Sequence, residues 1–183
     1  INRDMAALRA ALRLFLAPGT PGTNAAWQEA LKSIRNADRR RTLSLSRSER
    51  IELLKHAPAE GLPFVNALCW LPLRPGAMAK LTVGDWDKRT LELTIDHDKN
   101  GEPRRILLPS EIAKLLNTEA TDKLPSAPLF MRAYGQPWTK ENWNEPIRAA
   151  AKKAGLPDTM TAYTIRHSVI TDLVNGSLPI LTV

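Results

Sequence analysis

The sequence is short of several things, and each shortage removes a class of protein. It holds one cysteine, Cys69, among 183 residues, so no disulfide can form within the chain. Cys69 lies in the apolar run Leu62 to Leu73, where a buried, inert thiol is expected. The three histidines, His56, His97 and His167, have no paired spacing, which argues against a zinc site. Neither a metal nor a cofactor is predicted. The longest apolar stretch is too short and too rich in proline to cross a bilayer, so no membrane partner is expected. No signal peptide is visible and the first residue is Ile, so the chain reads as an excised cytoplasmic segment. Internal repeats and low-complexity tracts are absent as well.

Acidic residues are the last shortage. Against 26 Lys+Arg stand 19 Asp+Glu, a formal charge of +7. That excess suits a polyanionic partner, with nucleic acid first and an anionic membrane surface second. A hydrophobic fraction of 43% is ordinary for a chain with a real core.

What is present reads as helices around a small antiparallel sheet. Asn2 to Leu16 is predicted as a helix capped by Asn2, with Met5, Leu8, Leu12 and Phe15 on one face. Pro18-Gly19-Thr20-Pro21-Gly22 breaks it, and a second helix is expected over Ala25 to Ile34. A basic connection follows, from Lys32 to Arg50, carrying Arg35, Arg39, Arg40, Arg41 and Arg47. Such a run is either a solvated face or a track for phosphates. Ser46-Arg47-Ser48-Glu49 is a capping box that starts a helix through Ala57. The domain boundary is placed just before it, with residues 1–41 as one unit and 42–183 as the other.

Gly61 to Leu73 is predicted as a buried helix and Pro75 to Leu81 as a short one with proline in its first turn. The period then changes to two. Thr90 to His97 alternates apolar and polar, Arg105 to Leu108 is its partner strand, and Asp98-Lys99-Asn100-Gly101 is the turn. Ser110 should cap a helix to Asn117, followed by a loop from Thr118 to Ala127 and a brief buried strand at Leu129-Phe130. Thr139 should cap a helix to Ala154, closed by Gly155.

The most informative stretch is Thr161 to Gly176. Ile165, Val169, Ile170, Leu173 and Val174 recur at helical spacing, and Arg166 interrupts that apolar surface. A guanidinium does not lose its proton, so Arg166 needs an anionic partner. Asp85, Asp87 or Asp172 could serve as an internal one; a phosphate is the alternative. Two further cations stand apart, Arg74 before Pro75-Gly76 and Lys99 at the hairpin tip.

These residues resemble the tyrosine recombinases, or phage-type integrases. The run from Leu73 to Asp87 is similar to that family's first-arginine block, Asp98 to Pro109 to the hairpin bearing its lysine, and Tyr163-Thr164-Ile165-Arg166-His167 to its His-x-x-Arg block with Tyr in place of His. The match covers about Leu45 to Val183, and Asn2 to Leu16 resembles the last helix of the preceding core-binding domain.

The resemblance implies an α+β, mostly helical catalytic domain with a small antiparallel hairpin or sheet on one side. It implies site-specific DNA cleavage and rejoining through a 3′-phosphotyrosyl intermediate, on double-stranded DNA, with neither metal nor ATP. Arg74 and Arg166 would stabilise the phosphate, Lys99 would protonate the leaving 5′-oxygen, and Tyr163 would hydrogen-bond a phosphate oxygen or the nucleophile. Arg39, Arg40, Arg41, Arg47, Lys80, Arg104 and Lys140 are the expected DNA-gripping residues. Asp85 is the expected support for Arg74, and His167 the expected support for the core.

The chain departs from the family's pattern in further ways, first in having Pro72 and Leu73 where Thr-Gly usually precedes the first arginine. Ala77 stands where a glutamate usually follows the first arginine. The two tyrosines, Tyr134 and Tyr163, match neither the position nor the surroundings of the nucleophile, so none is assigned within the chain, which is expected to be inactive alone. The full-length protein, bacterial or phage-encoded, is expected to assemble as a tetramer on DNA, and this chain to be a monomer or weak dimer. The competing readings are a non-catalytic DNA-binding module of the same fold and an interaction protein whose charge is incidental.

Overall fold

The computed structural model describes residues 2–15, 30–34, 43–96, 103–176 and 181–182. The chain divides into two compact units, Ile1–Thr42 and Leu43–Val183. In the first, helix α1 (Asn2–Phe15) has no buried residue. Met5 and Leu12 are half-buried while Leu8 and Phe15 are exposed, so the expected apolar face is only partly covered. The Asn2 amide accepts from Ile34 N at 2.8 Å and donates to Ile34 O at 3.0 Å. The expected helix over Ala25 to Ile34 lies largely outside the described residues.

The second unit opens on α2 (Arg47–Lys55), where both halves of the Ser46–Glu49 capping box are formed. Helix α3 (Leu62–Trp70) stops three residues short of the expected Leu73. Pro72 is the reason: it disfavours helical backbone at the preceding residue, and Leu71 is extended at φ −99°, ψ 131°. The same rule acts again at Pro75, leaving Arg74 extended at φ −66°, ψ 140° as the lead-in to α4 (Pro75–Lys80). In this extended run Leu71 and Leu73 are fully buried, and the alternation turns Arg74 to the other side.

A four-stranded antiparallel sheet follows in the order β1 (Trp86–Asp87), β2 (Glu92–Ile95), β3 (Arg104–Leu107) and β4 (Leu181–Thr182). The two expected strands pair, extended by one short strand on each side, and the expected turn Asp98 to Gly101 lies outside the described residues. Leu93 pairs with Ile106 and Ile95 with Arg104. Paired residues share a face, so Arg104 leaves β3 on the face of buried Leu93, Ile95 and Ile106, at its rim.

Helix α5 (Ser110–Ala120) runs three residues into the expected loop, and its N-cap is Pro109 rather than Ser110. Leu129 and Phe130 are buried without forming a strand; Leu129 N donates to Leu81 O at 2.8 Å beside a single bridge between Thr82 and Pro128. Helix α6 (Asn144–Lys153) begins later than Thr139, because residues 140–143 form turns held by Asn142 Oδ1 accepting from Thr139 N. It ends near Gly155, whose φ is +66°, in the left-handed region. Helix α7 (Ala162–Val174) has Thr161 as N-cap in a capping box with Thr164.

The core is one cluster built on α3. Phe64 stacks on Trp138 at 4.7 Å and meets Phe130 edge-on at 6.2 Å. Among the described residues no helix is long and apolar enough to cross a membrane.

Candidate nucleic-acid interface

Helix α7 presents two different sides. Ala162, Thr164, Ile165, Ser168 and Val169 are buried, whereas Tyr163 and His167 are exposed and Arg166 is half-buried beside them. Tyr163, Arg166 and His167 are three and four residues apart, which puts them on one stripe of the helix. The exposure of His167 corrects the expectation that it supports the core: its ring faces outward.

Arg166 Nε donates to the Pro72 carbonyl at 3.1 Å, tying the helix to the extended run that carries Arg74. Its guanidinium is pushed below the ordinary arginine range, first by burial, then by the positive charges of Arg74 and Arg104, with Tyr163 acting in the opposite sense. Arg74 from a loop and Arg104 from a strand are therefore each within electrostatic reach of Arg166 on its helix. Concentrating three fixed positive charges favours an anion among them.

None of the three internal carboxylates considered for Arg166 is its partner. Asp172 pairs with Arg50. Asp87 accepts from Arg89 N at 2.8 Å. Asp85 accepts from Thr82 N at 2.7 Å and Thr82 Oγ1 at 2.9 Å, which caps a single 3-10 turn instead of supporting Arg74.

The other expected DNA contacts lie on several different elements or outside the described residues. Arg47 is exposed with its guanidinium 5.2 Å from the Trp70 ring centre; Lys80 and Lys140 are exposed at the end of α4 and before α6. Arg104 joins the arginine cluster itself. Lys99, Arg39, Arg40 and Arg41 lie outside the described residues. Tyr134 sits fully exposed on the turn Ala133–Gly135 at φ +58°.

Arg50 was grouped by sequence with the basic connection, and the structure corrects this. It is buried, donating to Leu45 O at 3.0 Å and to Asp172. A signal for this existed: Arg50 stands three residues before fully buried Leu53, on the inner stripe of α2.

Comparison with known proteins bears on the family and the fold. Residues 51–183 match the model of the phage integrase family. No curated protein sequence matches. Among solved structures, XerA recombinase is similar at 19% identity and a TM-score of 0.63, over 84% of this chain and 59% of that one. The Tn1549 transposon integrase in complex with a circular intermediate DNA is similar at 17% identity and a TM-score of 0.72, over 97% of this chain and 67% of that one. A further Tn1549 integrase structure, with transposon right end DNA, is similar at 18% identity and a TM-score of 0.62, over 77% of this chain and 56% of that one. This chain thus spans about three fifths of the XerA recombinase chain it resembles. With its family match covering residues 51–183 and its fold shared with two recombinases, the chain belongs to the phage integrase family of tyrosine recombinases.

Proposed function

We propose that this chain is the DNA-engaging part of a site-specific recombinase, and that Arg74 and Arg166 grip the phosphodiester that is cut. The observation that carries this reading is the seating of Arg166 among Arg74 and Arg104, with its Nε held by the Pro72 carbonyl. A phosphate held by Arg74 and Arg166 would offset the mutual repulsion of these positive charges.

In the proposed reaction a tyrosine hydroxyl attacks phosphorus, forming a 3′-phosphotyrosyl ester and releasing a 5′-hydroxyl. Charge grows on the non-bridging oxygens, where two planar forks stabilise it. Lys99 delivers the proton that the departing 5′-oxygen takes up; its ordinary pKa, near ~10.4, suits so basic a leaving group. Tyr163, one helical turn before Arg166, donates to a phosphate oxygen. Neither Tyr163 nor Tyr134 is assigned as the nucleophile. The ester conserves the bond energy, so attack by a second 5′-hydroxyl rejoins the strands. Arg47, Lys80, Lys140 and the run Arg39 to Arg41 are proposed as further contacts to the DNA backbone. We further propose a monomer or weak dimer for this chain and a tetramer for the full-length protein on paired DNA sites.

The test is a nicked suicide substrate incubated with the full-length protein. A covalent protein–DNA adduct is expected, slowed about 10²–10³-fold by Arg74→Ala and by Arg166→Ala. Adduct that forms equally fast in both variants would overturn the assignment. DNA binding with no adduct in any form of the protein would favour a non-catalytic module instead.

A further inference from the structure

We infer that Arg50 is a positioning residue for Arg166, acting through a clasp on the far side of α7. The inference rests on reading Arg166 as a phosphate ligand.

The Arg50 side chain is 3% exposed. One of its terminal nitrogens donates to Leu45 O at 3.0 Å and the other to Asp172 Oδ2. Leu45 N donates to Ser168 Oγ at 2.7 Å, and Ser168 Oγ donates in turn to Thr164 O at 2.9 Å. The segment from Leu45 to Arg50 therefore holds α7 at two points, Ser168 and Asp172, one turn apart.

At about 100° per residue, Ser168 and Asp172 lie roughly 200° and 240° around the helix from Arg166. The clasp and the Arg166–Pro72 hydrogen bond thus grip α7 from opposite sides. Packing of Ile165 and Val169 is fully buried but non-directional, and tolerates rotation of a helix about its axis. Hydrogen bonds weaken steeply off their preferred angles, so attachment on two sides fixes that rotation. A buried ion pair adds little stability over an apolar pair of similar volume. Stability alone therefore does not account for a buried arginine here; directional hold on the helix that carries Arg166 does.

The experiment measures binding of this chain to a short fluorescein-labelled duplex by anisotropy, with thermal unfolding followed in parallel. Replacing both partners, Arg50→Met with Asp172→Leu, should leave the melting temperature close to that of the unmodified protein. Affinity should still fall about 3–10-fold, and the same replacement in an Arg166→Ala background should change it by less than about 2-fold. Ser168→Ala should act in the same direction, again only while Arg166 is present.

Affinity that recovers together with stability in the double replacement would overturn the inference, as would losses independent of Arg166. If the double replacement fails to fold, the Ser168→Ala cycle decides by the same criterion. If Arg166→Ala alone leaves binding unchanged, the phosphate-ligand reading falls and this inference with it, an outcome distinct from additive losses.

Discussion

Arg166 donates to the main-chain carbonyl of Pro72 across 94 residues of sequence, at 3.1 Å. That bond joins the two arginine blocks: Pro72 lies two residues before Arg74, and the helix carrying Arg166 cannot turn without pulling on the loop that carries Arg74.

Arg166→Ala should therefore weaken DNA binding more than it weakens the fold, since the side chain is only half-buried. The slope of log K against log salt should drop by about 1, the signature of one lost phosphate contact. Arg166→Lys keeps the charge but not the fork, and should restore the slope without restoring full affinity. A salt titration of the three proteins checks this; equal slopes for all three would refute it.

Cys69 supplies a pH prediction. Burial pushes its thiol up from 9.0 to about 12, with nearby Arg50 pulling weakly the other way. In the unfolded chain the thiol ionises at its ordinary value, so above that pH the native state holds a proton that the unfolded state has lost. Stability then falls as pH rises between 9.0 and about 12, with a limiting slope of about 1.4 kcal/mol per pH unit. Urea midpoints across this range, compared with Cys69→Ala, isolate the effect from other titrating groups. Native protein should also resist iodoacetamide until it unfolds.

Gly61 sits at the start of α3 against Pro146 of α6. A Cβ built at Gly61 lies 2.6 Å from Pro146 Cβ and 3.0 Å from its Cγ, and the proline ring cannot swing aside. Gly61→Ala should cost about 1–3 kcal/mol through overpacking. Paired replacement with Pro146→Gly, which removes both the Cβ and the Cγ, should give a clear non-additive rescue in thermal unfolding.

Ser46→Ala should destabilise by about 0.5–2 kcal/mol, because the hydroxyl accepts from Glu49 N at 3.2 Å at the start of α2. The Glu49 carboxyl is held below its usual range by the Ser46 side chain and then the Ser46 backbone, which completes the box. Glu49→Gln should cost less than Ser46→Ala, and chemical denaturation of both orders them.

Much of the local structure was legible in the sequence. The Ser46–Glu49 capping box, the strand alternation around Leu93 and Ile95, and the cap at Gly155 all form, because each depends on neighbours a few residues away. The end of α3 differs from expectation although Pro72 marks it, because the apolar run to Leu73 continues past the last helical residue as buried extended chain. The start of α6 was placed too early because Thr139 looks like a cap, but a turn through Asn142 intervenes. His167, next to Arg166 in sequence, is exposed rather than in the core, because adjacency on a helix does not say which flank is covered.

The sequence by itself determined the helical character, the strand pair and the excess of positive charge, since composition and short-range periodicity carry these, while the three recombinase-like blocks were legible only through resemblance to a family. Only the tertiary structure decided that Arg74, Arg104 and Arg166 share one region, and that Arg50 turns inward to Asp172. Arg50 and Asp172 are 122 residues apart, and the pairing of charges at such separations follows from how helices pack against a common core, not from any local pattern.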